Sequence, residues 1–317
     1  MQRINNILII LVLLFTISCD DILEEDISDD LVQITSPINN ITLIGNTVNF
    51  TWQPLNGADS YRIQISELSQ NIILDSLVST SNFSYVMNSG SYQWRIKAEN
   101  FSYQTDYTFP ANFSLETSQN LDNQTVVLQT PSQNLYSNSN DFVFTWDELE
   151  AATSYDIDLL KNTTGLETVF QLSNITDNGV SVAASYFTDD AEYIWKIRGV
   201  NAMSQTDYSE RSLYIDRQSP NQPNLVSPAE LETTSTETVT FNWLNGTDTG
   251  TLQSEITNTF EIATDINFNA ILYTEQTSNN TSQYEFTTTG TYYWRVKAVD
   301  LAFNQSDFSI VRTLVIQ

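Results

Sequence analysis

The chain holds 39 aspartates and glutamates, 12 lysines and arginines, and no histidine. Histidine is the side chain that titrates nearest neutrality and the commonest metal ligand. Without it, a Ser-His-Asp triad, a Cys-His pair and a histidine-bearing zinc site are excluded. Carboxylate chemistry survives. Two carboxyl groups roughly 5–10 Å apart in a cleft can hydrolyse a glycoside, and clustered oxygens can hold Ca²⁺. The formal net charge is −27, so Coulomb repulsion opposes nucleic acid and anionic headgroups. No nucleic-acid partner and no cofactor are expected, and the charge reads as the solubility of an exposed protein.

The single cysteine, Cys19, cannot make an intramolecular disulfide, so packing alone must hold the fold. Arg3 precedes an apolar run from Ile7 to Ile17 that only Thr16 interrupts. The run is too short for an ordinary membrane-spanning helix and suits a signal-peptide core. It ends in Thr16-Ile17-Ser18-Cys19. A small residue and then Cys directly after an apolar core resembles a bacterial lipobox, with Thr16 in place of the usual Leu. The resemblance implies a signal peptide over 1–18 and lipidation of Cys19. Several acyl chains would anchor the protein stably, at about 0.8 kcal/mol per buried CH₂. The alternative is an ordinary secretory signal with an incidental cysteine. Residues 19–30 are then an acidic tether, Asp20-Asp21-Ile22-Leu23-Glu24-Glu25-Asp26-Ile27-Ser28-Asp29-Asp30 after Cys19, expected to stay extended and disordered. Acidic residues behind such a cysteine resemble the export signal of surface lipoproteins in Bacteroidota, which implies an outer-membrane, cell-surface location.

Six tryptophans reveal a repeat, two per copy. The first of each pair closes an alternating run: Val48-x-Phe50-x-Trp52, Phe142-x-Phe144-x-Trp146 and Val239-x-Phe241-x-Trp243. Period-two alternation predicts strands with one buried face. Fifteen residues before each stands a proline, Pro37, Pro131 or Pro228, suited to the edge of a first strand because it donates no ladder hydrogen bond. A third strand follows at Tyr61-x-Ile63-x-Ile65, Tyr155-x-Ile157-x-Leu159 and Phe260-x-Ile262. Later come Tyr92-x-Trp94-x-Ile96-x-Ala98-x-Asn100, Tyr193-x-Trp195-x-Ile197-x-Gly199-x-Asn201 and Tyr292-x-Trp294-x-Val296-x-Ala298-x-Asp300. A last alternating strand closes each unit, as in Leu213-x-Ile215 and Leu314-x-Ile316.

This pattern resembles the fibronectin type III family, with a Trp on the second strand, a Tyr on the third and Tyr-x-hydrophobic-x-hydrophobic-x-Ala-x-Asn on the sixth. The Trp inside the sixth strand, Gly199 and Asp300 depart from it. The resemblance covers about residues 31–317 and implies an all-β chain of three tandem fibronectin type III-like, immunoglobulin-like β-sandwiches. The expected domains are 31–117, 122–216 and 222–317, joined near Ser118–Asp122 and by a stiff link at Arg217–Pro223. All six tryptophans are expected in cores, and the Tyr two residues before each second Trp in a tyrosine corner.

Three features are candidate sites. Six of the cations face outward on the sixth strands: Arg95, Lys97, Lys196, Arg198, Arg295 and Lys297. Asp156, Asp158 and Glu261 on the third strands are expected to pair with those of repeats two and three. Repeat one offers only Arg62 and Gln64 there, so Arg62, Arg95 and Lys97 are expected to form an unpaired basic patch that accepts anions; an ordinary solvated sheet face is the alternative. Next, Trp243 and Phe260 are 17 residues apart, where the two sister pairs are 9 apart. The longer loop carries Asn245, Thr247, Asp248 and Thr249, with Asp248 a weak calcium candidate and a plain flexible insertion the alternative. Finally, Phe101, Tyr103 and Phe303 sit in loops after the sixth strands, placed to stack on sugar rings. Those loops end in Gln-Thr/Ser-Asp-aromatic (Gln104–Tyr107, Gln205–Tyr208, Gln305–Phe308), a repetition that suggests a turn held by the Asp side chain.

Fold does not give function. A non-catalytic surface lipoprotein that binds glycan or protein fits these features first. A structural spacer or subunit of an envelope complex is the alternative, and a carboxylate hydrolase comes behind both, because each repeat is used up by one sandwich.

Overall fold

A computed structural model describes residues 24–235 and 237–317; Cys19, the signal peptide and the start of the tether lie outside the described residues. The alternating runs become strands, eight in each repeat among the described residues. Repeat one has β1 (Ile34–Ser36), β2 (Ile41–Ile44), β3 (Thr47–Trp52), β4 (Ser60–Glu67), β5 (Ile72–Val78), β6 (Asn82–Val86), β7 (Gly90–Glu99) and β8 (Ala111–Glu116). Repeat two has β9 (Leu128–Thr130), β10 (Leu135–Ser137), β11 (Phe142–Trp146), β12 (Ser154–Asn162), β13 (Leu166–Ile175), β14 (Gly179–Val182), β15 (Ala191–Val200) and β16 (Ser209–Ile215). Repeat three has β17 (Asn224–Ser227), β18 (Glu232–Thr234), β19 (Thr238–Leu244), β20 (Thr257–Ala263), β21 (Ile271–Thr277), β22 (Thr281–Glu285), β23 (Gly290–Val299) and β24 (Arg312–Ile316).

Each repeat folds into a three-stranded and a five-stranded sheet with the same strand order: β1-β3-β6 and β2-β8-β7-β4-β5, then β9-β11-β14 and β10-β16-β15-β12-β13, then β17-β19-β22 and β18-β24-β23-β20-β21. The chain leaves the first sheet after its proline and pairs with the last strand in parallel, as β10 does with β16 and β18 with β24. This short crossing strand was not separated from its neighbour in the sequence pattern, and it makes the Trp-bearing "sixth" strand the seventh. The chain divides into two compact units: one holds the first sandwich, and the other, in the main from Glu116 onward, holds the second and third. Among the described residues no helix is long and apolar enough to cross a membrane.

All six tryptophans are buried, none more than 3% exposed. The same edge-on aromatic pair braces each core: Phe50–Trp94 at 5.0 Å, Phe144–Trp195 at 5.0 Å and Phe241–Trp294 at 5.1 Å between ring centres. Such pairs add about 0.5–1.5 kcal/mol each beyond area burial, in a fold that has no disulfide to brace it. The tyrosine corner is present at Tyr193 and Tyr292, whose hydroxyls donate to the carbonyls of Asp189 (3.2 Å) and Thr288 (2.9 Å), four residues upstream.

The end of the tether departs from expectation. Ile27 is completely buried, Asp30 N–H bonds Ile27 O at 3.1 Å, and Asn100 Nδ2 donates to Glu25 O at 2.8 Å. Residues 24–30 are therefore part of the first packed unit and not an extended, disordered strap. One apolar side chain inside the acidic block outweighs its like charges, since Glu25, Asp26, Asp29 and Asp30 all stay exposed to water.

Candidate functional site

The outward cations sit where the alternation puts them, but the patch of repeat one is not unpaired. Arg62 bonds Asp75 at 2.8 Å and Glu99 at 3.3 Å, and Lys97 bonds Glu99 at 2.9 Å. Arg95 donates to Gln64 Oε1 at 2.9 and 2.7 Å. The expectation is corrected for a physical reason: β4 has two neighbours. Its other side faces β5, where Asp75 stands opposite Gln64. A hydrogen bond from Gln64, with Arg62 adding to it, holds the Asp75 carboxyl below its ordinary range. In the other repeats the expected pairs form: Arg198–Asp156 at 2.9 Å and Arg295–Glu261 at 2.7 Å. Asp158 stands opposite Lys196 but takes its hydrogen bond from Gln171.

The repeated Gln-Thr/Ser-Asp-aromatic turn explains the rest of the cation row. The aromatic folds back over it: Arg95 lies 4.3 Å from the Tyr107 ring centre, Lys196 and Arg198 both 5.0 Å from Tyr208, and Arg295 3.7 Å from Phe308. The hydroxyl residue, not the expected Asp, holds the turn. Thr105, Thr206 and Ser306 are buried. Each accepts the N–H of Ala98, Gly199 or Ala298 at 2.9–3.1 Å and donates to the next residue's carbonyl.

The loop aromatics are open to solvent. Phe101 is 91% exposed, Tyr103 37% and Phe303 74%. Phe109, which the pattern did not single out, is 90% exposed in the same β7–β8 connection as Phe101. That connection shapes a shallow depression from Glu99 to Gln104.

The long loop of repeat three, residues 245–256, is not a free insertion. It is fastened to the link that precedes its own sandwich. Asn221 N–H donates to Thr247 O at 2.9 Å and its Nδ2 to Thr247 Oγ1 at 2.9 Å. Thr249 Oγ1 donates to Ser219 O, and Thr251 Oγ1 to Asp190 O in repeat two. Asn245 Oδ1 takes a bond from Asn258. In the sister repeats the short loop is held instead by the third-strand tyrosine: Tyr61 and Tyr155 hydroxyls accept the N–H of Leu55 and Leu149, each at 2.8 Å. Repeat three has Phe260 there, which has no hydroxyl.

Fastening the loop brings three carboxylates together. Asp216 follows β16, Asp248 lies in the long loop, and Asp300 follows β23; one oxygen from each lies within 4.8 Å of the others. Asp216 and Asp300 are 0% and 3% exposed, and Asp248 is half-buried. Burial pushes the Asp216 and Asp300 carboxyls above their ordinary value, and the Asp248 charge adds to both shifts. Sequence reading found Asp248 alone. Asp216 and Asp300 are 84 residues apart in number, and only the turn of the link aligns them.

No protein-family model matches the chain, and no curated protein matches it. Among solved structures it is similar to the FN1–FN3 domains of chicken CNTN1, at 15% identity over 90% of this chain and 97% of that one, with a TM-score of 0.46. The strand order repeated in all three copies shows an all-β chain of three tandem two-sheet sandwiches.

Proposed function

We propose that the chain is a non-catalytic, lipid-anchored surface protein that binds a glycan or a protein through loops at the ends of its sandwiches. The observation that carries the reading is the pair Phe101 and Phe109, about nine-tenths exposed in one connection while every tryptophan is spent on a core. Exposed aromatic rings can stack on sugar faces or fill a partner's pocket. The sheet faces are poorer candidates, because their cations are paired with carboxylates or capped by aromatic rings. The carboxylate group of Asp216, Asp248 and Asp300 has two of its three members buried, which counts against hydrolysis at that place.

A glycan and matrix-protein array with the secreted chain tests this. Saturable binding that Phe101→Ala with Phe109→Ala removes is the expected result. A blank array, with recovery of other envelope proteins in an affinity pull-down, favours the spacer reading. The anchor is tested separately: the wild-type chain should take up labelled fatty acid and Cys19→Ser should not.

A further inference from the structure

The position that closes the Tyr-x-Trp strand pattern has the same job in the first two repeats. Asn100 Nδ2 donates to Glu25 O in the segment before its sandwich and to Gly57 O in the short loop, each at 2.8 Å. Asn201 Nδ2 donates to Gln119 O in the preceding link and Ala151 O in the short loop, each at 2.9 Å. One amide NH₂ thus pins the incoming chain and the loop to the end of the strand.

Repeat three keeps the geometry and inverts the chemistry. The residue is Asp300, which has no side-chain N–H to give. The incoming link presents the Asp216 carboxylate and the loop presents Asp248, so acceptors face acceptors. Asp216 is fully buried, and its Oδ2 has no hydrogen-bond partner among the described residues. Among the described residues no lysine or arginine forms an ion pair with any of the three. Arg217 is next in sequence, yet it turns to Asp190 at 2.9 Å. A buried carboxylate oxygen without a donor is costly. The other oxygens of the cluster accept N–H or O–H groups, but among the described residues no cation offsets the charge that the three carboxylates gather.

Asn304 Nδ2 donates to the Asp216 carbonyl and to Asp300 Oδ2, each at 2.9 Å, and so holds the incoming backbone while leaving Asp216 Oδ2 unanswered. We propose that Asp216, Asp248 and Asp300 bind a calcium ion that answers it and clamps the link and the long loop onto the third sandwich. The donor set is all oxygen, which suits a hard cation and not the softer copper, nickel or zinc that favour nitrogen or sulfur ligands. Oxygens about 2.4 Å from one calcium ion lie at most about 4.8 Å apart, and the three carboxylates meet that limit. Water and carbonyl oxygens can complete the 6–8 ligands that calcium takes, whereas magnesium demands a tighter octahedron. The inference does not depend on what the loops bind.

The test is calcium titration of the EDTA-stripped full chain by calorimetry, with melting followed in parallel. One ion per chain is expected, with a dissociation constant in the range of about 0.1–1 mM or tighter typical of extracellular modules. Saturating calcium should raise the melting temperature of the second and third sandwiches by about 5 °C. Asp300→Asn restores the residue of the sister repeats, should fold, and should lose both responses. Asp216→Asn gives a second variant with the same expected loss, and Asp265→Asn, in a turn of its own, should keep them. No binding at about 5 mM calcium, or binding that both cluster variants retain, overturns the proposal. An equal response to magnesium overturns the assignment to calcium.

Discussion

Trp94 Nε1 donates to the carbonyl of Pro37 at 3.0 Å, whereas its counterparts Trp195 and Trp294 have no partner for the same atom among the described residues. The cause lies one strand away. Ala111 stands opposite Trp94, but Arg211 and Arg312 stand opposite Trp195 and Trp294. Those guanidiniums donate to the carbonyls of Pro131 and Pro228 and to the strand just before each. Arginine has therefore displaced the indole from its acceptor and satisfied more of the first strand in exchange.

Arg211→Ala should accordingly cost less than the roughly 1.5–3 kcal/mol of a charged hydrogen bond, because Trp195 can recover the Pro131 carbonyl. A loss of about 1 kcal/mol in urea unfolding, with a shift in indole emission, is the expected outcome. The double variant Arg211→Ala with Trp195→Phe should lose more than the two single changes added together.

Tyr155→Phe tests the loop anchor. Its hydroxyl accepts the N–H of Leu149, a buried residue, and the change leaves that donor bare at a cost of about 1–3 kcal/mol. Phe260→Tyr in repeat three should not gain the converse stability, since the longer loop there is held by the link. Urea midpoints of the two variants decide this.

The core was legible in the sequence because strand alternation is a local signal, and a Trp on the buried side of a period-two run has nowhere else to go. The partners of Arg62 were not legible. They depend on which strand lies on the second side of β4, and Asp75 carries no pattern of its own. Ile27 was hidden by its acidic neighbours, since charge density describes a segment's average and burial is decided by one side chain. Asp300 stands where the two sister repeats have Asn100 and Asn201, and by spacing alone it is a one-residue departure. Its meaning needs Asp216 and Asp248 beside it, and a loop folded back on a link leaves no periodicity to read.

The aromatic caps should be worth little singly. Tyr208→Leu keeps apolar cover over Lys196 and Arg198 and removes only the ring face. A loss of about 0.5–1 kcal/mol is expected, measured as a urea midpoint. It should vanish in an Arg198→Met, Lys196→Met background, which leaves no cation to cap.

Gly246 is where the long loop passes closest to the link. A Cβ there would stand 1.7 Å from the Asn221 carbonyl oxygen, so Gly246→Ala must push the two backbones apart and break the Asn221–Thr247 bonds. It should lower the melting temperature of the second and third sandwiches by several degrees. Gly165→Ala, in open space between β12 and β13, is the matched control and should be neutral.

The carboxylate cluster also fixes the sign of a pH effect. Burial raises the Asp216 and Asp300 carboxyls above their unfolded value, opposed by the N–H groups of Gln218 and Asn304 and reinforced by Asp248. Asp190 adds to the rise at Asp216, with Arg217 paired to it. A carboxyl with a raised folded pKa holds its proton more tightly in the native state. Its stability is therefore complete below the unfolded value of about 3.9 and is lost as pH rises through the folded one. In EDTA, the wild-type chain should melt progressively lower relative to Asp300→Asn as pH climbs from about 4 to about 7, because the amide of that variant never charges. Calorimetry at a series of pH values reads that difference directly. A difference that stays flat would mean that the Asp300 carboxyl titrates in the folded chain as it does in the unfolded one.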